Sequence, residues 1–326
     1  MSIESRLAAK KRSAKARSKA RAKAAFDLGL IILIPVAVLV IVFLVMNHIK
    51  SKVNDYSKYL TSEGNIKDYD ISKEVTIPDL STLPVKYDDF KPTDATLNSR
   101  IAMELKSAIP EAERPDVKEE SEAEAAYLAM LTDENVEKYF AEKLGDKYAH
   151  TADGYRAYLS EYLQHNSYHN GVEGKISNWL LEQSTIGKLP SKYVKNWTQI
   201  MTNVSKEQFE AYKKLGLYTQ NNIYELYGSK KAFKEEMQKS AESNVKQELV
   251  LLAAFDQLGL TCTKEDAEAY FKDHYEQESF SMEDIKKEYG EPYMMLECKC
   301  YKVMEALKAT IHTEEEEDHE DEQKTE

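Results

Sequence analysis

Glycine and proline are scarce in this chain, at 11 and 8 of 326 residues, against average usage of about 7% and 5%. That argues against a Gly-rich nucleotide-binding fold and against a β-sandwich or barrel, which needs many turns. Cysteine is scarcer still. Three residues cannot make a disulfide framework. Catalytic signatures are also missing: the sequence has no GxSxG, no GxxxxGK[ST], no HExxH and no CxxC. A basic surface is absent from most of the chain, whose net charge is −13. Nucleic-acid binding by the main body is therefore not expected, because phosphate neutralisation needs clustered Lys and Arg.

The charge that is present is unevenly placed. Residues 1–25 hold nine basic residues and one acid, Glu4, whereas residues 313–326 hold nine acids and one Lys. Between them and next to the basic end lies Leu28 to Met46, LGLIILIPVAVLVIVFLVM, with no charge. About 20 such residues span a bilayer core as a helix, and Gly29 and Pro35 are tolerated there. The basic flank precedes the span, so the positive-inside rule places the N-terminus in the cytoplasm and the main domain outside. The run is longer than a signal-peptide core. It also leaves through Asn47-His48-Ile49-Lys50, without a small-residue cleavage site, which favours an uncleaved signal anchor over a cleaved leader.

Beyond the anchor the chain reads as helix after helix. Residues 50–72 are polar and irregular, like a stalk. Val75-Thr76-Ile77 and Leu83 to Tyr87 are the only β-like stretches. Thr93-Asp94 caps a helix to about Ala108 with Leu97, Ile101 and Leu105 on one face, and Pro110 to Glu122 reads as a loop. Thr132 opens a helix with Val136, Tyr139 and Phe140 inward, closed by Gly145. A long helix over 153–183 carries Tyr155, Leu159, Tyr162, Val172, Ile176 and Leu180 largely on one face, weakened in its middle by Gly171 and Gly174. Pro190 starts the next, with Val194, Trp197, Met201, Val204 and Phe209. Ser229 to Leu258 carries Phe233, Met237, Ala241, Val245, Leu249 and Leu252, and Gly259 ends it. Thr263 to Asp266 resembles a capping box, and Ser281 starts a short helix ended by Gly290. The last helix, to about Ile311, places Leu296, Cys300, Val303 and Leu307 on an apolar stripe; the acidic segment after it has no apolar residue and is expected to be disordered. The expected organisation is a basic segment over 1–25, the anchor over 26–47, a stalk over 48–74, a helical domain over 75–311 and an acidic tail over 312–326.

Few side chains suggest chemistry. His165 and His169 stand at i, i+4, a spacing that can share a metal ion, but no third ligand is near, so a solvated or core-edge pair is the better reading and no metal is expected. Cys298 and Cys300 point about 200° apart on a helix, so they cannot pair without unwinding it. Cys300 reads as a small buried hydrophobe, and a Cys262–Cys298 bond outside the cytoplasm stays open. The 21 Tyr and ten Met suit adaptable apolar surfaces as well as core.

Leu131-Thr132-Asp133-Glu134-Asn135-Val136 and the stretch His150 to Leu159 resemble the segment of the trigger factor chaperones that follows their isomerase domain. Leu189-Pro190-Ser191-Lys192-Tyr193-Val194 is similar to that family's hydrophobic-Pro-x-x-x-Val helix start. Ala241 to Leu251 is similar to its A-x-x-x-V-K-x-x-L long helix, Leu260 to Asp266 to the step after it, and Cys300-Tyr301-Lys302-Val303 to its closing helix. Val75 to Leu105 is similar to the linker and first helix before the isomerase domain, so the resemblance spans roughly 75–310. Two parts of the family pattern are missing. There is no ribosome-binding loop, and about twenty residues between Pro110 and Thr132 stand where an isomerase domain of roughly a hundred would lie.

The resemblance implies an all-α, SurA-like chaperone body behind one transmembrane helix. It would hold unfolded or newly translocated polypeptides outside the cytoplasm without nucleotide or cofactor, without ribosome docking, and not as an enzyme. The membrane partner is reached through residues 28–46, and no nucleic acid is expected. The residues expected to meet clients are Tyr158, Tyr162, Trp197, Met201, Tyr212 and Tyr218, as exposed aromatic and Met positions. The alternatives are a bitopic scaffold for one partner and a residual prolyl isomerase.

Overall fold

A computed structural model describes residues 54–117, 119–275 and 281–311. The basic segment, the apolar run Leu28 to Met46 and the acidic tail lie outside the described residues. Among the described residues, no helix is long and apolar enough to cross a membrane.

The described chain is mostly helical, 69% of it. After a single turn α1 (Ile71–Glu74) come α2 (Asp94–Ala108), α3 (Glu120–Leu128), α4 (Asp133–Leu144), α5 (Ala152–Gln183), α6 (Ser191–Lys214), α7 (Lys230–Gln257), α8 (Lys264–Tyr275), α9 (Met282–Tyr289) and α10 (Glu291–Lys308). The caps at Thr93, Thr132, Thr263 and Ser281 are those the sequence announces, and Thr151, not expected as a cap, opens α5 just before the expected start at 153. Thr93, Thr132, Thr151 and Ser281 each accept a hydrogen bond from a first-turn backbone N–H. At α8, Thr263 and Asp266 exchange bonds, N to Oδ2 at 2.8 Å and N to Oγ1 at 3.2 Å. Each such cap contributes about 1 kcal/mol. Among the described residues the one sheet is a two-stranded antiparallel clip of β1 (Val75–Thr76) and β2 (Thr185–Ile186), with Val75 opposite Ile186.

The chain divides into two compact units. One consists of the described parts of 70–188, 246–267 and 295–311. Its best-defined core lies where α2, α3, α4 and the start of α5 meet: Ile101, Leu105, Ile109, Tyr127, Val136, Phe140, Leu144, Tyr155 and Leu159. Phe140 stacks on Tyr155 with centroids 4.3 Å apart. Further along α5, a 3-10 turn at Tyr87–Phe90 packs on the helix. Gln164 Nε2 donates to the Tyr87 carbonyl at 3.1 Å. Phe90 lies edge-on to Tyr168 at 5.3 Å. A Cβ on Gly171 would lie 3.3 Å from Phe90 Cε1, so this glycine admits the ring, and α5 runs through it unbroken.

The other unit consists of the described parts of 54–69, 189–245 and 268–294. Residues 54–69, expected as a stalk, are folded. Leu60 bridges to Ile66, and Tyr56, Leu60 and Ile66 are buried. Asn54 and Asp55 accept side-chain amide hydrogen bonds from Asn203 and Asn196 of α6, both at 2.8 Å, and Ser57 Oγ donates to the Tyr289 carbonyl at 2.9 Å. These partners lie more than a hundred positions away in sequence, which is why a local reading misses them.

Two other expectations change. Leu83 to Tyr87 is not a strand: Leu83 to Lys86 joins two 3-10 turns, and Tyr87 begins the second. The interval Pro110 to Glu122 is, in its described residues, a loop with one 3-10 turn up to residue 119, but a helix not expected there, α3, begins at Glu120. In α10, Cys298 is fully buried, and Cys300, partly accessible at its surface, has its thiol raised well above its ordinary value by burial, in keeping with its place on the apolar stripe; the helix is covered on the side of Met294, Met295 and Cys298 as well as along Leu296, Val303 and Leu307.

Candidate functional site

The six residues expected to meet clients fall into two groups. Tyr158 and Tyr162 stack at 6.2 Å on α5 in the first unit. Tyr158 leans on Tyr148 at the edge of the core, and Tyr162 is 45% exposed. The other four lie in the second unit. Trp197 is 7% exposed and forms an aromatic cluster with Tyr56 at 5.8 Å and Tyr293 at 6.0 Å. It is core, not surface. α6 carries a broad apolar face, and periodicity alone does not say that residues 54–69 cover it.

Met201, Tyr212 and Tyr218 belong to the structure that does present an apolar surface. The second half of α6 and the first half of α7 are joined by residues 215–229. The base of this hairpin is a small core of Phe209, Ile223, Phe233 and Met237, against which Met201, Tyr218 and Tyr224 pack. Tyr218 stacks on Phe209 at 5.4 Å, and Tyr212 meets Tyr218 edge-on at 5.6 Å. Gly216 ends α6 with φ 73°. Its N–H reaches the Lys213 carbonyl and the Leu217 N–H reaches the Tyr212 carbonyl, each at 3.0 Å, a Schellman closure that only a left-handed residue completes. Lys213 Nζ donates to the Asn221 carbonyl at 2.6 Å. Asn222 caps the turn Ile223–Glu225 that leads into α7.

This closed connection holds four of the exposed large apolar side chains: Leu217 at 64%, Leu215 at 49%, Leu226 at 41% and Tyr227 at 36%. Helical periodicity misses them because they lie between helices. The cue in the sequence is leucine on both sides of Gly216 and Leu226-Tyr227 directly before Gly228, apolar residues at the two turns where polar ones are usual. Lys213, Lys214, Lys230, Lys231 and Lys234 flank them in sequence together with Glu225 and Glu235, and Lys231 pairs with Glu235 at 3.6 Å. The arrangement can bind apolar chain segments. It contains no nucleophile with a base beside it.

A second feature of this unit is electrostatic. Burial, and then the charge of Glu207, raises the Glu288 carboxyl above its ordinary value. Burial, Glu288 and Glu207 together push the neighbouring Tyr56 phenol up to about 12. A carboxyl whose folded pKa exceeds its unfolded value contributes stability below the unfolded value, near 4.3 for Glu, and loses it as pH rises through the folded value. Glu288→Gln is therefore expected to unfold at higher urea concentration than wild type at pH 7, with the difference closing as pH falls toward 4. An equal or lower midpoint at pH 7 would mean that Glu288 is compensated.

Elsewhere, the His165 and His169 rings lie 4.1 Å apart, and among the described residues no group of three His, Cys, Asp or Glu side chains could hold a metal ion.

Comparison with known families gives one match. Residues 151–309 fit the family described as the bacterial trigger factor protein C-terminus. The match includes Tyr158 and Tyr162, the whole α6–α7 hairpin and α10. It begins at the N-cap of α5, so the stretch from Val75 to His150 lies outside it. No curated protein and no solved structure matches the chain.

Proposed function

We propose, from the premise that residues 151–309 are a trigger factor C-terminal domain, that this chain is a membrane-tethered, ATP-independent holdase for unfolded or newly translocated polypeptides outside the cytoplasm. The coarser part of this statement, a chaperone-like role in binding unfolded clients, follows from the family. The observation supporting the holdase reading is the exposed apolar tip of the α6–α7 hairpin, Leu215, Leu217, Leu226 and Tyr227, carried on the core of Phe209, Ile223, Phe233 and Met237. The matched part of the family is the chaperone part and not its isomerase.

Tethering rests on the uncharged run Leu28 to Met46 behind nine basic residues. An anchor beside a secretion channel raises the effective concentration of the binding surface where chains emerge. Weak contacts then suffice, since the encounter becomes close to intramolecular.

The test is suppression of aggregation by the full chain in lipid nanodiscs, without nucleotide, on several unrelated unfolded proteins. Protection of more than one client is expected. Protection of none would sink the holdase reading, and tight binding of one folded partner alone would favour the scaffold. For the topology, protease added to intact cells is expected to remove the Glu314 to Glu322 segment; its survival would reverse the orientation.

A further inference from the structure

Cys262 follows the end of α7 in the short connection to α8, and Cys298 lies in the middle of α10; both thiols are free. The side chain of Lys302 fixes this connection against α10. Its Nζ donates to the Thr261 carbonyl at 2.9 Å and to Asp266 Oδ2 at 2.7 Å. The same Asp266 oxygen accepts from the Thr263 N–H. Residues on both sides of Cys262 are thereby held over one face of α10. Cys298 is one turn before Lys302, at i−4, and so shares that face. Cys262 Sγ donates to the Thr263 carbonyl at 3.7 Å, and each thiol shifts the other's ionisation, Cys262 downward and Cys298 upward. Cys300, two residues further along, points to another side of the helix.

We propose that Cys262 and Cys298 are a disulfide-forming pair that, when oxidised, ties the α7–α8 connection covalently to α10. The inference is independent of whether the chain holds clients.

The two cysteines have different parts in the reaction. Cys262 is half-exposed and Cys298 is buried, so an oxidant meets Cys262 first. The Cys298 thiol, and then the charges of Lys302 and Lys299, lower the Cys262 thiol and favour its thiolate. That thiolate attacks one sulfur of a disulfide oxidant, such as glutathione disulfide. A mixed disulfide forms on Cys262 and one glutathione thiolate leaves. Cys298 then gives up its proton and attacks Cys262 Sγ, displacing the second glutathione. Two protein thiols are oxidised, one external disulfide is reduced, and the two protons go to the two glutathione thiols.

The experiment uses the full chain in nanodiscs, equilibrated in excess glutathione disulfide or in reduced glutathione, then denatured and labelled with a maleimide mass tag. In the oxidised sample one tag per chain is expected, on Cys300, and peptide mapping should recover Cys262 linked to Cys298. The reduced sample should take three. The link closes a loop of roughly 35 residues, so the oxidised protein should melt about 5–10 °C above the reduced one. Cys300→Ser should behave as wild type in both respects. Cys262→Ser, a change at a half-exposed position, should melt at the same temperature in both buffers.

Three tags after full oxidation would overturn the proposal. So would glutathione retained on Cys262 without an internal link, a link that includes Cys300, or an oxidation-dependent melting shift in Cys262→Ser as large as in wild type.

Discussion

Replacing Leu215, Leu217, Leu226 and Tyr227 together by serine is expected to lower client affinity at least tenfold while leaving the melting temperature nearly unchanged. Fully burying a Leu-sized side chain is worth about 1.5–3 kcal/mol. These four are already partly covered and on the proposed function would meet clients of varied shape, so about 0.5–1 kcal/mol each is the appropriate scale. Four such losses approach about 2–4 kcal/mol, and every 1.4 kcal/mol is a factor of ten. Folding is spared because the side chains are on the surface, where a substitution usually costs within about 0.5 kcal/mol, and because the base of the hairpin, Phe209, Ile223, Phe233 and Met237, is not altered. The measurement is the chaperone concentration giving half-maximal protection of an aggregating client, beside a thermal melt. A folded variant protecting as well as wild type would remove the tip from the mechanism. Trp197→Ala is the informative contrast. It too should lower protection, but through loss of the Tyr56–Trp197–Tyr293 cluster and a lower melting temperature.

The contrast between the tip and Trp197 marks how far the sequence could be read. Helices α2, α4, α5, α6, α7 and α10 follow from apolar residues repeating at helical spacing, and the ends of α4 and α7 also from a Thr or Ser cap and a Gly stop, all local features. Nonlocal features were not legible. Trp197 is buried because Tyr56 and Tyr293 reach it from segments far away in sequence, and the segment around Tyr56 looked like a stalk for the same reason. α3 was hidden by its acidic composition and by Pro110 and Pro115 before it; its Tyr127 is buried only because α2 and α4 close over it. The exposed apolar tip was half legible: Tyr212 and Tyr218 lie in the same hairpin, but its most exposed residues are leucines in turns. The order of family motifs carried the functional reading, and the matched range begins where the long helix begins.

The same substitution, Gly to Ala, is expected to act in opposite directions at two positions on α5. At Gly154 a Cβ would stand 1.9 Å from the Ala149 carbonyl oxygen and 2.8 Å from its carbon. Both are backbone atoms, so no side-chain rotation relieves the overlap. The backbone there is also tied. The Ala149 oxygen accepts from the Thr151 N–H at 2.8 Å, Thr151 Oγ1 caps the helix by accepting from the Gly154 N–H at 3.1 Å, and the Ala152 N–H donates to Asp133 of α4 at 2.8 Å. Relief must therefore move the whole α4–α5 connection. Overpacking costs about 1–3 kcal/mol and a lost cap about 1 kcal/mol, so Gly154→Ala should destabilise by about 2–4 kcal/mol. At Gly174 a Cβ meets nothing within 4 Å and φ is not positive. What remains is the entropy that glycine loses in a helix, so Gly174→Ala should stabilise by about 0.5–1 kcal/mol. Urea unfolding of the two variants beside wild type decides the matter. Midpoints moving in the same direction would mean that helix propensity alone, and not the close approach of Ala149, governs the start of α5.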